Sequence, residues 1–437
     1  MKKLAFCIMA MAMGLSALAQ ETLNPAATPD YGFIRIGELN NATRNNVGAA
    51  SFIFPSGDKL VTGLHSSISA DQFLGGLKPV NSLYSDLNYN LVTYGWKGRT
   101  AGFHTVYVGA RANYGLSVPK EIFQLMKTGT AQSPYDLSSL KAFGNVYGEI
   151  AYGYSLPLGD NLSLGARVKL LVGFNSADVA VRRMNLTTTE DQYNLDLDAD
   201  IDLTNRSKKI GVDDNGYLDY TSFTGKGKLG LPTGAGLAAD FGVVWKPFDG
   251  FTLSASALDL GGILWYYGNA GTSNGTFTFE GLKDLSTDEM DEESLNAKLK
   301  ETADELLAVV KPKAAEGRFK LKALPLSANL KASYALPFFD MLSVDVAGRY
   351  TGYSFCAPYW ETRGGLSFDY TAGLCHLSLS AGSGTCGFVY GIDGFVDFLS
   401  FRLYASFENG VGGVIPYEST PLKANNKVLS LGLIYKL

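Results

Sequence analysis

The residues the chain is short of narrow its chemistry first. It has four cysteines and three histidines in 437 residues. His65, His104 and His376 are scattered, and no Cys/His spacing matches a metal site. Gly225-Lys-Gly227-Lys-Leu-Gly230 has the letters of a dinucleotide loop, but Leu231-Pro232 follows where a helix should start. Gly271-Thr-Ser273-Asn-Gly275 matches a nucleophile elbow by letters only, in a Gly/Ser/Asn-rich stretch. No catalytic residue, cofactor or metal ligand is expected, and the chain reads as a non-enzyme. The net charge is only −5 and no run of like charges occurs, which argues against a nucleic-acid partner. No charged or Pro-rich linker divides the chain. Beyond Gln20 there is no run of ~18 apolar residues, so no membrane-spanning helix is expected.

Some features are abundant. Met1-Lys2-Lys3, an apolar run from Leu4 to about Leu15, and Ala17-Leu18-Ala19 form a signal peptide with cleavage after residue 19. Cys7 lies inside that run and is filler. The 50 glycines, 24 tyrosines and 25 phenylalanines suit many strands with aromatic edges.

Alternation with a period of two recurs along the chain. Val106, Val108, Ala110, Ala112, Tyr114 and Leu116 oppose Thr105, Arg111 and Asn113. Similar strands are expected over 145–156, 162–170, 237–245, 326–336, 342–350, 366–370, 377–380 and 399–407. Less regular ones fall near 47–54, 86–97, 251–260 and 386–394. The last is at the C-terminus: Leu429, Leu431, Leu433, Tyr435 and Leu437 alternate with Ser430, Gly432 and Lys436. This ending resembles the terminal strand by which bacterial outer-membrane β-barrels are recognised for assembly. Gly432, Tyr435 and Leu437 are therefore the expected assembly signal, with the barrel assembly machinery and outer-membrane lipids as partners.

Short connections are expected near 98–100, 157–160, 247–250, 337–340, 372–373 and 395–397, and they alternate with mostly longer ones. Both termini then fall on the short-turn side, as in outer-membrane barrels. Tyr154, Trp245, Phe251, Tyr334, Tyr370 and Tyr435 edge the apolar faces at that side, and Tyr114, Tyr350 and Phe407 edge them at the other. Two such girdles favour a lipid-facing barrel over a soluble one. The expectation is an all-β, transmembrane antiparallel β-barrel of about 14 strands, located in the cell outer membrane. A plug-like segment would span 20–45 and the barrel 46–437. Helices are expected in two of the long extracellular loops, at 287–310, where Ser286 and Glu289 form a capping box, and over Glu121–Met126.

Strand parity points ten charged side chains inward: Arg111, Glu149, Arg167, Lys169, Asp240, Lys331, Asp345, Arg349, Asp369 and Arg402. Their mixed signs favour mutual pairing over a selective pore. Cys375 faces outward at the short-turn end of its strand and Cys386 begins the next strand at the other rim, on the order of 23 Å away, too far for a disulfide. Any bridge should join Cys356 and Cys386.

Asn24-Pro25-Ala26-Ala27 resembles the Asn-Pro-Ala element near the N-terminus of FadL-type fatty acid transporters and their PorV-type relatives. In that superfamily the N-terminal segment plugs a 14-stranded barrel. Phe54-Pro-Ser-Gly-Asp58, Ser69-Ala-Asp-Gln-Phe73 and Leu171-Val-Gly-Phe-Asn175 resemble a Bacteroidota family of outer-membrane barrels. The resemblances imply a transporter or binder of small or hydrophobic ligands. The alternatives are a PorV-like surface scaffold or shuttle for secreted proteins, or a barrel-displayed adhesin.

Overall fold

The computed structural model describes residues 24–57, 59–99, 102–130, 133–190, 192–204, 209–224, 231–280, 292–339, 341–352, 358–370, 374–385, 387–409 and 425–437. The wall strands are β1 Phe33–Asn45, β2 Val80–Lys97, β3 Phe103–Pro119, β4 Lys141–Leu158, β5 Leu162–Thr188, β6 Gly234–Trp245 and β7 Phe251–Tyr267. They continue with β8 Leu326–Ala335, β9 Leu342–Gly352, β10 Tyr359–Tyr370, β11 Cys375–Gly384, β12 Gly387–Phe398, β13 Phe401–Asn409 and β14 Asn425–Lys436. Each pairs antiparallel with the next, and β1 pairs with both β2 and β14, so the 14-stranded sheet closes on itself. Closure leaves no strand edge unpaired, which a wall in hydrocarbon requires.

The outward face is an apolar band, with Ile150, Val168, Leu237, Val346 and Leu366 all exposed. Trp245, Tyr334 and Tyr435 edge it at the short turns, and Tyr114, Tyr350 and Phe407 at the long loops. The chain forms a transmembrane β-barrel. The two halves of its short-turn rim differ. Gly98, Arg99, Gly102, Asp160 and Asn161 occupy two turns, whereas Phe248, Phe338, Phe339 and Leu399 stand exposed in others.

Several expectations need correction. The first wall strand is Phe33–Asn45, not 47–54, so any plug lies upstream of residue 33. The alternation in β1 is obscured because its pairing with β14 shifts between Ile36 and Leu39, with Gly37 at φ +67°. Arg35 and Glu38 are consequently both buried, although three residues apart. Residues 47–54 belong instead to a loop that includes a small hairpin, Ile53–Ser56 with Lys59–Thr62. The last short turn is Leu399–Ser400, not 395–397. Asp397 does not start it; its carboxylate binds Arg402 and Lys436.

Among the described residues, the connections 176–233 and 268–323 carry further strands. β5 runs on to Thr188 and pairs with Tyr193–Leu203, which pairs in turn with Asn269–Phe279. Along Tyr193–Leu203, Asp196, Asp198, Asp200 and Asp202 alternate with Leu197, Ala199 and Ile201. Val309 of helix α3 (Glu292–Val310) and Leu140 pack with Leu197 and Ala199, so protein and not lipid covers that face. Arg182, Arg183, Arg318 and Lys320 bind the aspartates.

Helices α1 (Ala70–Gly75) and α2 (Lys120–Thr128) pack together, Phe73 against Phe123. The helices expected over Glu121–Met126 and at 287–310 thus form, within Lys120–Thr128 and Glu292–Val310. The signal peptide, Ser286, Glu289, Cys356, Cys386 and the Gly225–Gly230 motif lie outside the described residues. Cys375 is partly exposed on the outward register and makes no disulfide among the described residues.

Candidate functional site

The inward residues of β5 set out the lumen level by level: Gly165, Arg167, Lys169, Leu171, Gly173. Their partners on β6 are Gly242, Asp240, Ala238, Gly236 and Gly234. Glycine ends each series because something lies flat on the wall there.

At the lower pair, Gly165 and Gly242, the N-terminal segment is seated. A methyl group on Gly165 would strike the Pro25 carbonyl, and one on Gly242 would strike Asn24 Oδ1. The Asn24 amide donates to Ser254 Oγ at 2.7 Å and to the carbonyls of Val243 and Ala255 at 3.1 and 3.2 Å. Asn24 Oδ1 accepts from the Ala26 amide at 2.9 Å. Asn24, Pro25 and Ala26 are all buried. The amide side chain thus supplies the contacts, and the two glycines supply the space. Below this seat, Phe33, Phe103, Phe395, Tyr404 and Ile434 close the short-turn end as an apolar floor.

Above it comes the charged layer. Arg111 binds Asp86 at 2.7 Å and Asp259 at 2.9 Å, with Glu149 at 3.7 Å. Lys169 binds Asp240 at 2.8 Å and Asp259 at 2.6 Å, and Arg167 binds Asp240 at 3.1 Å. Tyr107 donates to Glu149 at 3.0 Å. Asp259 joins the wall of β7 to β3 and β5 because a register shift in the β6–β7 pairing puts it at φ +63°. The Asp240 carboxylate stabilises that shift by accepting from the Asp259 amide at 2.8 Å. Arg111, Glu149, Arg167, Lys169 and Asp240 therefore converge, as strand parity implies. Asp86 and Asp259 escape sequence reading because their strands alternate poorly.

A second charged group spans β9, β10 and β13. Arg349 lies 3.1 Å from Glu408 and 3.4 Å from Glu361, and Arg363 lies 2.9 Å from each. Lys331 lies 3.4 Å from Asp345. Lys331, Asp345 and Arg349 belong here, with Glu361, Arg363 and Glu408 added by the structure. Asp369 and Arg402 do not join either group. Asp369 is half exposed at the short-turn rim, 2.7 Å from His376, and Arg402 pairs with Asp397 at the floor.

The same half of the wall carries a row of small hydroxyls. Ser367 pairs in register with Ser378, Ser378 with Asp393, Asp393 with Ser406, and Ser406 with Ser430, and all are buried. Ser378, Asp393 and Ser406 of this row line a cavity of about 140 Å³ beside β7 to β13.

At the upper glycine pair, Gly173 and Gly234, the Trp265 ring lies flat on the wall; a methyl group on Gly173 would meet it at 2.5 Å. Trp265 is buried with Tyr147, Leu171, Ala238, Ile263, Tyr267 and Leu324. Tyr147, Ile263, Trp265 and Leu324 of this cluster line a cavity of about 430 Å³ at the long-loop end, whose walls include Phe143, Lys141, Asp178 and Lys322. Lys322 and Asp178 pair at 2.8 Å. Nothing in the sequence announced this vestibule, because inward apolar residues break the alternation used to find strands.

A family model described as a family of unknown function, DUF5723, matches residues 25–373. The chain belongs to the DUF5723 family. The match begins within the plug element and ends beyond β10, so the DUF5723 region takes in the glycine seats, the charged layer and the vestibule. No curated protein matches the chain. Among solved structures, it is similar to a Pseudomonas aeruginosa FadL homologue, with 13% identity, a TM-score of 0.45, and 94% of this chain and 92% of that one covered. It is also similar to the Pseudomonas putida toluene transporter TodX, with 9% identity, a TM-score of 0.43 and coverage of 98% and 96%. The translocator domain of the Neisseria meningitidis autotransporter NalP has 8% identity, a TM-score of 0.38 and coverage of 96% and 95%. None of these similarities bears on what this DUF5723 member binds.

Proposed function

We propose that this chain is an outer-membrane barrel that binds a small, partly apolar ligand in its outer vestibule. The observation that carries the reading is the 430 Å³ cavity over Trp265, Ile263 and Leu324, rimmed by Lys141, Asp178 and Lys322. An apolar floor with a few charged groups is the usual make-up of a small-molecule site. The charged layer and the seated N-terminal segment occupy the lumen below it and border a further cavity of about 230 Å³. The outer-membrane location is supported by the closed barrel and its two aromatic girdles.

Calorimetric titration in detergent with short-chain acyl and aromatic carboxylates tests the reading. Binding should be detected and should weaken on Trp265→Ala and Lys322→Ala. Binding that neither variant changes would move the ligand elsewhere, and its absence would sink the proposal. Planar-bilayer recordings should show a closed channel at rest. The sheet and helix α3 that project beyond the band favour a second reading, a surface scaffold for secreted proteins. Capture of a specific secreted partner through α3, without small-ligand binding, would establish that reading instead.

A further inference from the structure

We infer that the lumenal cavity at Asp393 is a binding site for a small monovalent cation. Asp393 is 9% exposed, and its Oδ2 has no hydrogen-bond partner among the described residues. It lies on the wall of the 140 Å³ cavity. The cations nearby are committed elsewhere. Arg349 and Arg363 form a neutral quartet with Glu361 and Glu408, and Lys331 is matched by Asp345. One carboxylate charge is left over. A buried, uncompensated carboxylate is costly, and the commonest remedies are a counter-ion or a proton.

The surroundings favour an ion. Ser378 and Ser406 flank Asp393 on the two neighbouring strands, and Ser380 and Ser256 also face the cavity. Hydroxyl and carboxylate oxygens are the donors that hard cations take. At Gly391, two residues before Asp393, the space a side chain would take is bordered by Ser380 Oγ and the Arg363 guanidinium, both 2.8 Å away, so the ion would lie on the Ser378 and Ser406 side of Asp393. The volume holds an ion with a few waters, each of ~30 Å³. The charge left over matches a single positive charge. Among the described residues no group of three or more His, Cys, Asp or Glu side chains is arranged to hold a metal ion, which disfavours a divalent ion.

The test is the unfolding midpoint of the detergent-folded barrel at constant ionic strength in choline, lithium, sodium or potassium chloride, read by gel mobility. At least one small cation should raise the midpoint of the wild type saturably relative to choline. Asp393→Asn should abolish that dependence. Ser378→Ala with Ser406→Ala should raise the half-saturating concentration about three- to tenfold. Should Asp393→Asn fail to fold, sodium-23 line broadening by the wild type decides the matter: it should be competed by the preferred cation and not by choline. A wild-type midpoint indifferent to cation identity would mean that Asp393 carries a proton, and would overturn the site. So would a cation dependence that survives in Asp393→Asn.

Discussion

The two halves of the barrel wall fill the same lumen by different means. From β2 to β5 the strands run 17 to 27 residues and carry large inward groups: Arg111, Tyr147, Glu149, Lys169 and Leu171. From β8 to β13 they run 9 to 12 residues, and the inward row is Ser367, Ser378, Asp393 and Ser406. One half sets large charged and aromatic side chains around a cavity of about 230 Å³, bordered by Arg111, Glu149, Lys169 and Asp259. The other lines a smaller cavity of about 140 Å³ with Ser378, Ser406 and Asp393. Large paired charges hold one another in place across a space; small hydroxyl-bearing side chains leave room for solvent and ions.

The seam between the halves is the first place to break the comparison. Tyr435 faces outward beside Phe401 at a ring separation of 5.1 Å, and the Leu437 amide donates to the Gly32 carbonyl at 2.8 Å. Changing Tyr435 and Leu437 to Asp should block assembly of both halves, since each charge on the lipid face costs up to ~2–4 kcal/mol. Normal levels of heat-modifiable protein would refute this role of the last strand.

The next contrast is between two lysines. Lys169→Met removes a buried cation shared by Asp240 and Asp259 and should cost about 3–5 kcal/mol of stability. Lys331→Met removes a longer contact, 3.4 Å, made by a more exposed lysine and should cost less, about 1 kcal/mol. Equal losses in denaturant titrations would erase the distinction between the two lysines.

Glycines sharpen it further. Gly242→Leu should displace Asn24 at a cost of about 1–3 kcal/mol and expose Ala27→Cys to a water-soluble maleimide. Gly391→Ala meets only the ends of the Arg363 and Ser380 side chains, both at 2.8 Å, and should be nearly neutral. An unlabelled Ala27→Cys in the Gly242→Leu background would show that the segment is held by something else.

The smallest effect is expected in the projecting sheet. Burial raises the pKa of Asp200, but hydrogen bonds from Arg182 and Thr272 and the charge of Arg318 outweigh it, so the net shift is downward. A carboxylate with a depressed folded pKa stabilises above its unfolded value of ~3.9 and loses that contribution as pH falls through the folded value. Proteolysis of this sheet should thus be unchanged at neutral pH and rise only below about pH 4, while the barrel stays intact. A rise near neutral pH would contradict the assignment.

Much of the wall could be read from alternation alone, because each strand has lipid on one side. Ile150, Tyr152 and Tyr154 could be read so, and they placed Glu149 inward. The same logic failed at β1, where a positive-φ glycine shifts the register, and at Asp259, where a bulge does. It could not reach the vestibule, since Leu171, Ile263 and Trp265 are apolar on the face that should be polar. Four letters, Asn24 to Ala27, pointed to the plug, but the glycines that receive it lie 140 residues and more downstream.

The exposed Phe338, Phe339 and Leu399 have a bearing on the bilayer itself. A ten-residue strand such as β8 rises about 33 Å along its axis and, tilted near 40°, spans only about 25 Å of membrane. That thickness leaves no margin on this side, so the turn phenylalanines become the inner anchor of the apolar band. The β2–β5 side has strand to spare. A thicker bilayer is therefore met by thinning of the lipid beside the short wall, since that wall cannot lengthen. Lipid chain length thereby sets how unevenly the surrounding bilayer is deformed around the barrel.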